Sequence, residues 1–182
     1  MTIRPIRLFG DPILRTAADP VTDFDKQLRT GVKDLVDTLR DANGAGLAAP
    51  QIGIGLRVFA YNVDDQQGYL VNPGLDFPDD QEQDGEEGCL SFPGIYYDVK
   101  RRKNTVAQGF TDRGDPVQVV GTDVMARCLQ HETDHLDGIL FVDRMEPATR
   151  KAAMKAIREA DWNGGPVPLV KPSPHRITDR AY

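Results

Sequence analysis

The chain has 182 residues, a 40% hydrophobic share and a formal net charge of −6 at pH 7, enough for one compact domain with its own core. No apolar run approaches a membrane span, two cysteines argue against a disulfide framework, and an acidic body argues against general nucleic-acid binding, specific DNA binding included. The charge is uneven: residues 144–182 carry eight basic and four acidic side chains, so +4 there and −10 over residues 1–143. Met1 to Gly10 is interrupted by Pro5 and lacks the apolar stretch of a signal peptide, so a cytoplasmic protein is expected.

Ile3 to Phe9 alternates weakly and leads into Asp11-Pro12, a helix-start or turn signal. Phe24 to Ala42 is the first strong helix, with Leu28, Val32, Leu35, Val36 and Leu39 on one stripe and Asn43-Gly44 at its end. Gly44-Ala45-Gly46-Leu47-Ala48-Ala49-Pro50-Gln51 follows almost without bulk, so backbone there can approach a ligand or another segment. It is not a phosphate loop, because no lysine follows in the required spacing. Arg57 to Tyr61 and Tyr69 to Val71 read as strands joined by a polar loop from Asn62 to Gly68, and Asn72-Pro73-Gly74 as a turn. Asp79 to Glu87 is acidic and expected to be exposed. Phe92-Pro93-Gly94 reads as a turn, and Val99 to Asp112 and Val117 to Val120 as strands around Arg113-Gly114-Asp115-Pro116.

The stretch that carries chemistry is His131-Glu132-Thr133-Asp134-His135, within a predicted helix from Thr122 to Leu136. Thr122 or Asp123 is positioned to cap its start, and Gly138 follows its end. Residues four apart share a helix face, so His131 and His135 can close on one metal ion while Glu132 reaches a water beside it. Two of the three histidines in the chain fall in this spacing, which favours a metal site over a chance surface pair. Cys128 lies on the same stripe, but it is seven residues from His135, about 10 Å along the axis at 1.5 Å per residue. One ion with bonds of about 2.0–2.3 Å does not span that distance. Cys89, in Glu87-Gly88-Cys89-Leu90-Ser91, is therefore the expected third ligand. Pro147 to Asp161 reads as a last helix. The Gly- and Pro-rich tail after Trp162 reads as an extended arm, with His175 on its surface. The expected organisation is one catalytic metallohydrolase domain over residues 1–162 and a tail over residues 163–182.

Three separated stretches, residues 44–51, 87–91 and 131–135, together resemble peptide deformylase in sequence and in order, and the likeness runs from about Ile6 to Ala160. The resemblance implies an α+β fold, with mixed or antiparallel strands around a central metal-binding helix and helices at both ends. It implies removal of the formyl group from the N-terminal formyl-methionine of nascent polypeptides. Cys89, His131 and His135 would bind one divalent ion, Fe2+ in the native family enzyme, with Zn2+, Ni2+ or Co2+ as substitutes. Glu132 would be the acid-base residue, the Gln51 side chain and the Leu90 N–H would face the formyl oxygen, and Gly46 would touch substrate through its backbone. Val124 and Cys128 precede His131 on one stripe, and with Ala45 opposite they are expected to line the methionine pocket. Lys151, Lys155 and Arg158 share one face of the last helix, where transient contact with the ribosome is expected.

Three positions depart from the family pattern. Arg127 stands where the family often has an apolar residue, and Tyr96 and Tyr97 stand where some members carry a basic one. Two other readings compete. A metallopeptidase with the same histidine pair would usually take a third His or Glu as ligand. A non-catalytic metal module would close with four protein ligands.

Overall fold

The structure, a computed structural model, describes residues 2–164. Among these residues three α-helices and nine strands follow in chain order. The first helix, α1 (Lys26–Ala42), starts where the Asp25 carboxylate accepts the Leu28 N–H at 2.8 Å. It ends where Asn43 turns left-handed at φ 53°. The predicted start at Phe24 is early because Asp25 takes the capping position. Upstream, Asp11 caps a single 3-10 turn at Pro12–Arg15.

The main sheet has the order β1-β2-β3-β8-β9, with every ladder antiparallel. Its strands are β1 (Gly46–Ala48), β2 (Val58–Val63), β3 (Gln66–Asp76), β8 (Asn104–Phe110) and β9 (Pro116–Thr122). Side chains alternate across it. Leu47, Val58, Ala60 and Val71 join the α1 stripe in one buried cluster. Ala48, Phe59, Leu70, Ala107 and Val119 join Met125, Cys128 and Leu129 of α2 (Asp123–Leu136) in another. The period of two thus assigns one helix to each face of the sheet. Two small ladders, β4 (Glu82–Gln83) with β7 (Arg101–Arg102) and β5 (Glu86–Gly88) with β6 (Tyr96–Asp98), complete the strands. A third cluster packs Phe92, Ile95 and Val99 with Phe141, Ala153 and Ile157. It seats the last helix, α3 (Pro147–Glu159). The Trp162 indole donates to the Pro93 carbonyl at 2.7 Å.

Four local expectations are corrected. The loop placed over residues 62–68 is only Asp64-Asp65, both at positive φ (47° and 63°), and Asn62, Val63 and Gln66 to Gly68 lie in the ladder. Aspartate tolerates that conformation, which suits the twist of a two-residue hairpin. Asn72-Pro73-Gly74 is no turn. The register skips there, β3 continues through a bulge, and the Asn72 amide exchanges two 2.8 Å bonds with the Val21 backbone. The strand predicted from Val99 to Asp112 divides into β7 and β8. The acidic run does not stay exposed, because Glu87 is fully buried.

Thr122 occupies the capping position of α2 without a side-chain bond to it. Among the described residues no helix is long and apolar enough to cross a membrane. The predicted tail, His175 included, lies outside the described residues apart from Asn163 and Gly164.

Candidate metal centre

Helix α2 carries the pair. His131 and His135 stand one turn apart, with ring centroids separated by 4.9 Å, and both are buried. The helix is held at its far end. Leu136 O accepts from Ala18 N at 2.8 Å and from Arg57 Nη1 at 3.2 Å, and Gly138 takes the left-handed turn at φ 71°. Cys89 follows β5 in a turn closed by Phe92 N–H to Cys89 O, and its Sγ comes within 3.3 Å of His135 Nε2. One ligand atom from each of Cys89, His131 and His135 lies within 4.8 Å of the other two. Cys128 is not in this group. It is buried and donates to Ala45 O at 3.4 Å. Burial, with the charges of Glu132 and Glu87, pushes its thiol well above the ordinary range.

The residues present fit a divalent metal. One thiolate and two imidazoles are the donors of zinc and the later transition metals, not of magnesium or calcium. His131 Nδ1 is engaged by Glu87 Oε1 at 2.7 Å, which leaves Nε2 as the nitrogen available to a metal. Burial opposes a charge on His131, yet its bonds to Cys89 and Glu87 hold its pKa well above the ordinary value. His135, buried beside that charge, is held well below. At this site two buried atoms, Glu132 Oε2 and His135 Nδ1, have no partner among the described residues. Such atoms are costly unless further polar groups complete them.

Glu132 lies against the sheet edge. A Cβ on Gly46 would run into its carboxylate, so the absence of bulk in β1 has a steric cause. Burial raises the Glu132 pKa to about 7, with Glu87 adding and His131 and Arg101 opposing. A carboxylate near neutrality can both take and return a proton. The Gln51 side chain is locked: its Oε1 accepts from Ala48 N at 2.8 Å. Its Nε2 donates to Ser91 Oγ at 3.1 Å and faces Cys89 Sγ at 3.6 Å. Leu90, beside Cys89, is buried. Ala45 and Cys128 share a cluster against which Val124 packs half-buried.

Sequence reasoning missed the charged network behind the histidines. Arg101 binds Glu87 at 3.0 and 2.7 Å and Asp134 at 2.6 Å, and Asp134 also takes Arg144 at 2.6 Å. Arg127 donates to Glu87 at 2.9 Å and to Val99 O at 2.7 Å. The signal was the letter before Gly88-Cys89, hidden because a dense acidic run reads as surface. Tyr96 packs over Gly88, where a Cβ would meet its ring, and Tyr97 packs on the cluster of α3.

A pair of helix-borne histidines, a cysteine from a separate turn and a buried glutamate between them define the class of mononuclear metal-dependent hydrolases. The family model for polypeptide deformylase matches residues 3–151, so the chain belongs to that family. A peptide deformylase of Acidothermus cellulolyticus is 61% identical over 181 residues, covering 100% of this chain and 99% of that one. One of Parafrankia sp. is 56% identical over 99% of each. The crystal structure of a peptide deformylase from Legionella pneumophila superposes with a TM-score of 0.80 at 40% identity, over 87% of this chain and 95% of that one.

Proposed function

We propose that the enzyme hydrolyses the formyl amide of N-terminal formyl-methionine on nascent polypeptides, in the cytoplasm, releasing formate and a free amine. The observation that carries this reading is the convergence of Cys89, His131 and His135 beside a buried glutamate whose pKa stands near 7. Cys89, His131 and His135 hold one divalent ion, Fe2+ in the cell, with Zn2+, Ni2+ or Co2+ able to replace it. Such an ion, when bound, would supply Lewis acidity that makes a nearby water a competent nucleophile at neutral pH.

Glu132 takes the proton of the attacking water and returns it to the departing amine nitrogen. The Gln51 amide and the Leu90 N–H donate to the oxygen of the formyl group as it gains charge. Each such donor contributes roughly 3–4 kcal/mol to barrier lowering in comparable sites. Gln51 is suited to this because its Oε1 is already tied to Ala48 N, which keeps Nε2 turned toward Cys89. Gly46 offers its backbone to the substrate chain at the free edge of β1. Ala45, Val124 and Cys128 line the methionine pocket.

The test is formate release from a formyl-methionyl peptide, run beside the same peptide without formyl. Formate from the first and no cleavage of the second is expected. Cleavage of an internal bond in either peptide would instead mark a metallopeptidase, and no turnover with metal bound would mark a non-catalytic module.

A further inference from the structure

Arg127 is left unexplained by the reaction. It is 1% exposed, on the metal helix, at a position where an apolar side chain would suffice for packing. Stability alone is a poor reason for it, since a buried ion pair is often no better than well-packed apolar residues of the same volume.

Its geometry gives a more specific reason. Arg127 and His131 stand four residues apart on one face of α2, and both grip the same carboxylate. Arg127 Nη1 donates to Glu87 Oε2 at 2.9 Å, and His131 Nδ1 meets Glu87 Oε1 at 2.7 Å. From β7, Arg101 adds Nε to Oε2 at 3.0 Å and Nη2 to Oε1 at 2.7 Å. These four bonds fill the roughly four acceptor positions of a carboxylate. Arg101 cannot serve Glu87 alone, because its Nη1 is committed to Asp134 at 2.6 Å. Arg127 Nη1 also holds Val99 O at 2.7 Å, anchoring the segment that leads into β7.

We propose that Arg127 is a positioning residue of the metal centre: by filling the last acceptor position of Glu87 it fixes that carboxylate, and so orients His131 for the metal. The proposal rests on the reading that Cys89, His131 and His135 are the ligands. Without Arg127, Oε2 is short of a donor in a buried setting and the carboxylate can turn toward Arg101. Its bond to His131 then loosens. Groups one shell out from a metal ligand typically change metal retention ten- to hundredfold when removed.

The test is the rate at which Zn2+-loaded protein gives up its ion to excess chromogenic chelator, with thermal unfolding of the metal-free protein as control. Arg127→Met should release Zn2+ about ten- to hundredfold faster than wild type. In a Glu87→Gln background the same substitution should add little, because the route through Glu87 is already cut. Arg127→Lys keeps the charge but replaces the planar guanidinium with a compact ammonium on a more flexible stem, so it holds Oε2 less rigidly and should fall between the two. It also answers if the methionine variant does not fold.

Wild-type release from Arg127→Met or, failing its folding, from Arg127→Lys, with only the unfolding temperature lowered, would overturn the proposal. So would an equal acceleration with and without Glu87. A wild-type protein that does not hold one Zn2+ per chain would instead overturn the ligand assignment.

Discussion

A glycine and two cysteines show how single residues divide the work. Gly46 is required because the Glu132 carboxylate lies where its Cβ would be. Cys89 and Cys128 are both buried, yet only Cys89 joins the histidine donors. Cys89→Ser should therefore lose metal or exchange it readily, while Cys128→Ser keeps it, as elemental analysis of the purified proteins would record. Full retention in Cys89→Ser would refute the ligand set. Glu132→Gln preserves shape and removes the base. Metal should stay bound while turnover falls by a factor of about 10² or more. Near-normal formate release at full metal occupancy would remove Glu132 from the acid-base role.

At the scale of elements, α2 holds both the histidines and their support. Arg127, on the face of His131, reaches Glu87 of β5, and Asp134 takes Arg101 of β7, so the arginine network locks the helix to both strands. Helix α3 has a different character. Ala153 and Ile157 are buried and Met154 is half-buried, while Arg150, Lys151, Lys155 and Arg158 are exposed. Plain solvation is the ordinary state of such a face. A protein acidic elsewhere is steered to a polyanion through its one basic end, so co-sedimentation with ribosomes is expected at low salt and lost at high salt. A Lys151/Lys155/Arg158→Glu variant should sediment much less. Equal sedimentation of the two proteins would end the docking idea.

At the scale of the whole molecule, the first turn and the last described helix are joined through one carboxylate. Arg15, from the first 3-10 turn, and Arg150, from α3, both pair with Asp143. Burial pushes the Asp143 carboxyl up, but the bond from Arg15, the Leu140 N–H and the arginine charges outweigh it, so its pKa is lowered. A depressed carboxylate stabilises the fold above its unfolded pKa of about 3.9, and that contribution is lost as pH falls through the folded value. Both arginines are about half exposed, so screening limits the effect to roughly 1 kcal/mol or less. Asp143→Asn should lower the urea midpoint at pH 7 and narrow its gap from wild type below about pH 4. A constant gap from pH 7 to pH 3 would contradict the linkage.

Local pattern determined much of this protein. The spacing of His131 and His135, the α1 stripe, the caps at Asp11 and Asn43 and the lack of bulk from Gly44 to Gln51 were legible because helical period, turn chemistry and side-chain volume are properties of neighbours in the chain. The three motifs together were specific enough to point to the family and its reaction. Tertiary structure decided what depends on residues far apart in sequence. Glu87 reads as one more acidic surface letter, and becomes fully buried because Arg101, Arg127 and His131 arrive from two other elements to neutralise and bond it. Asn72-Pro73 reads as a turn, and becomes a bulge because the Val21 backbone pairs with the Asn72 amide. Charge and turn propensity describe a residue facing water. Burial and long-range hydrogen bonds replace that water with partners the local sequence does not contain.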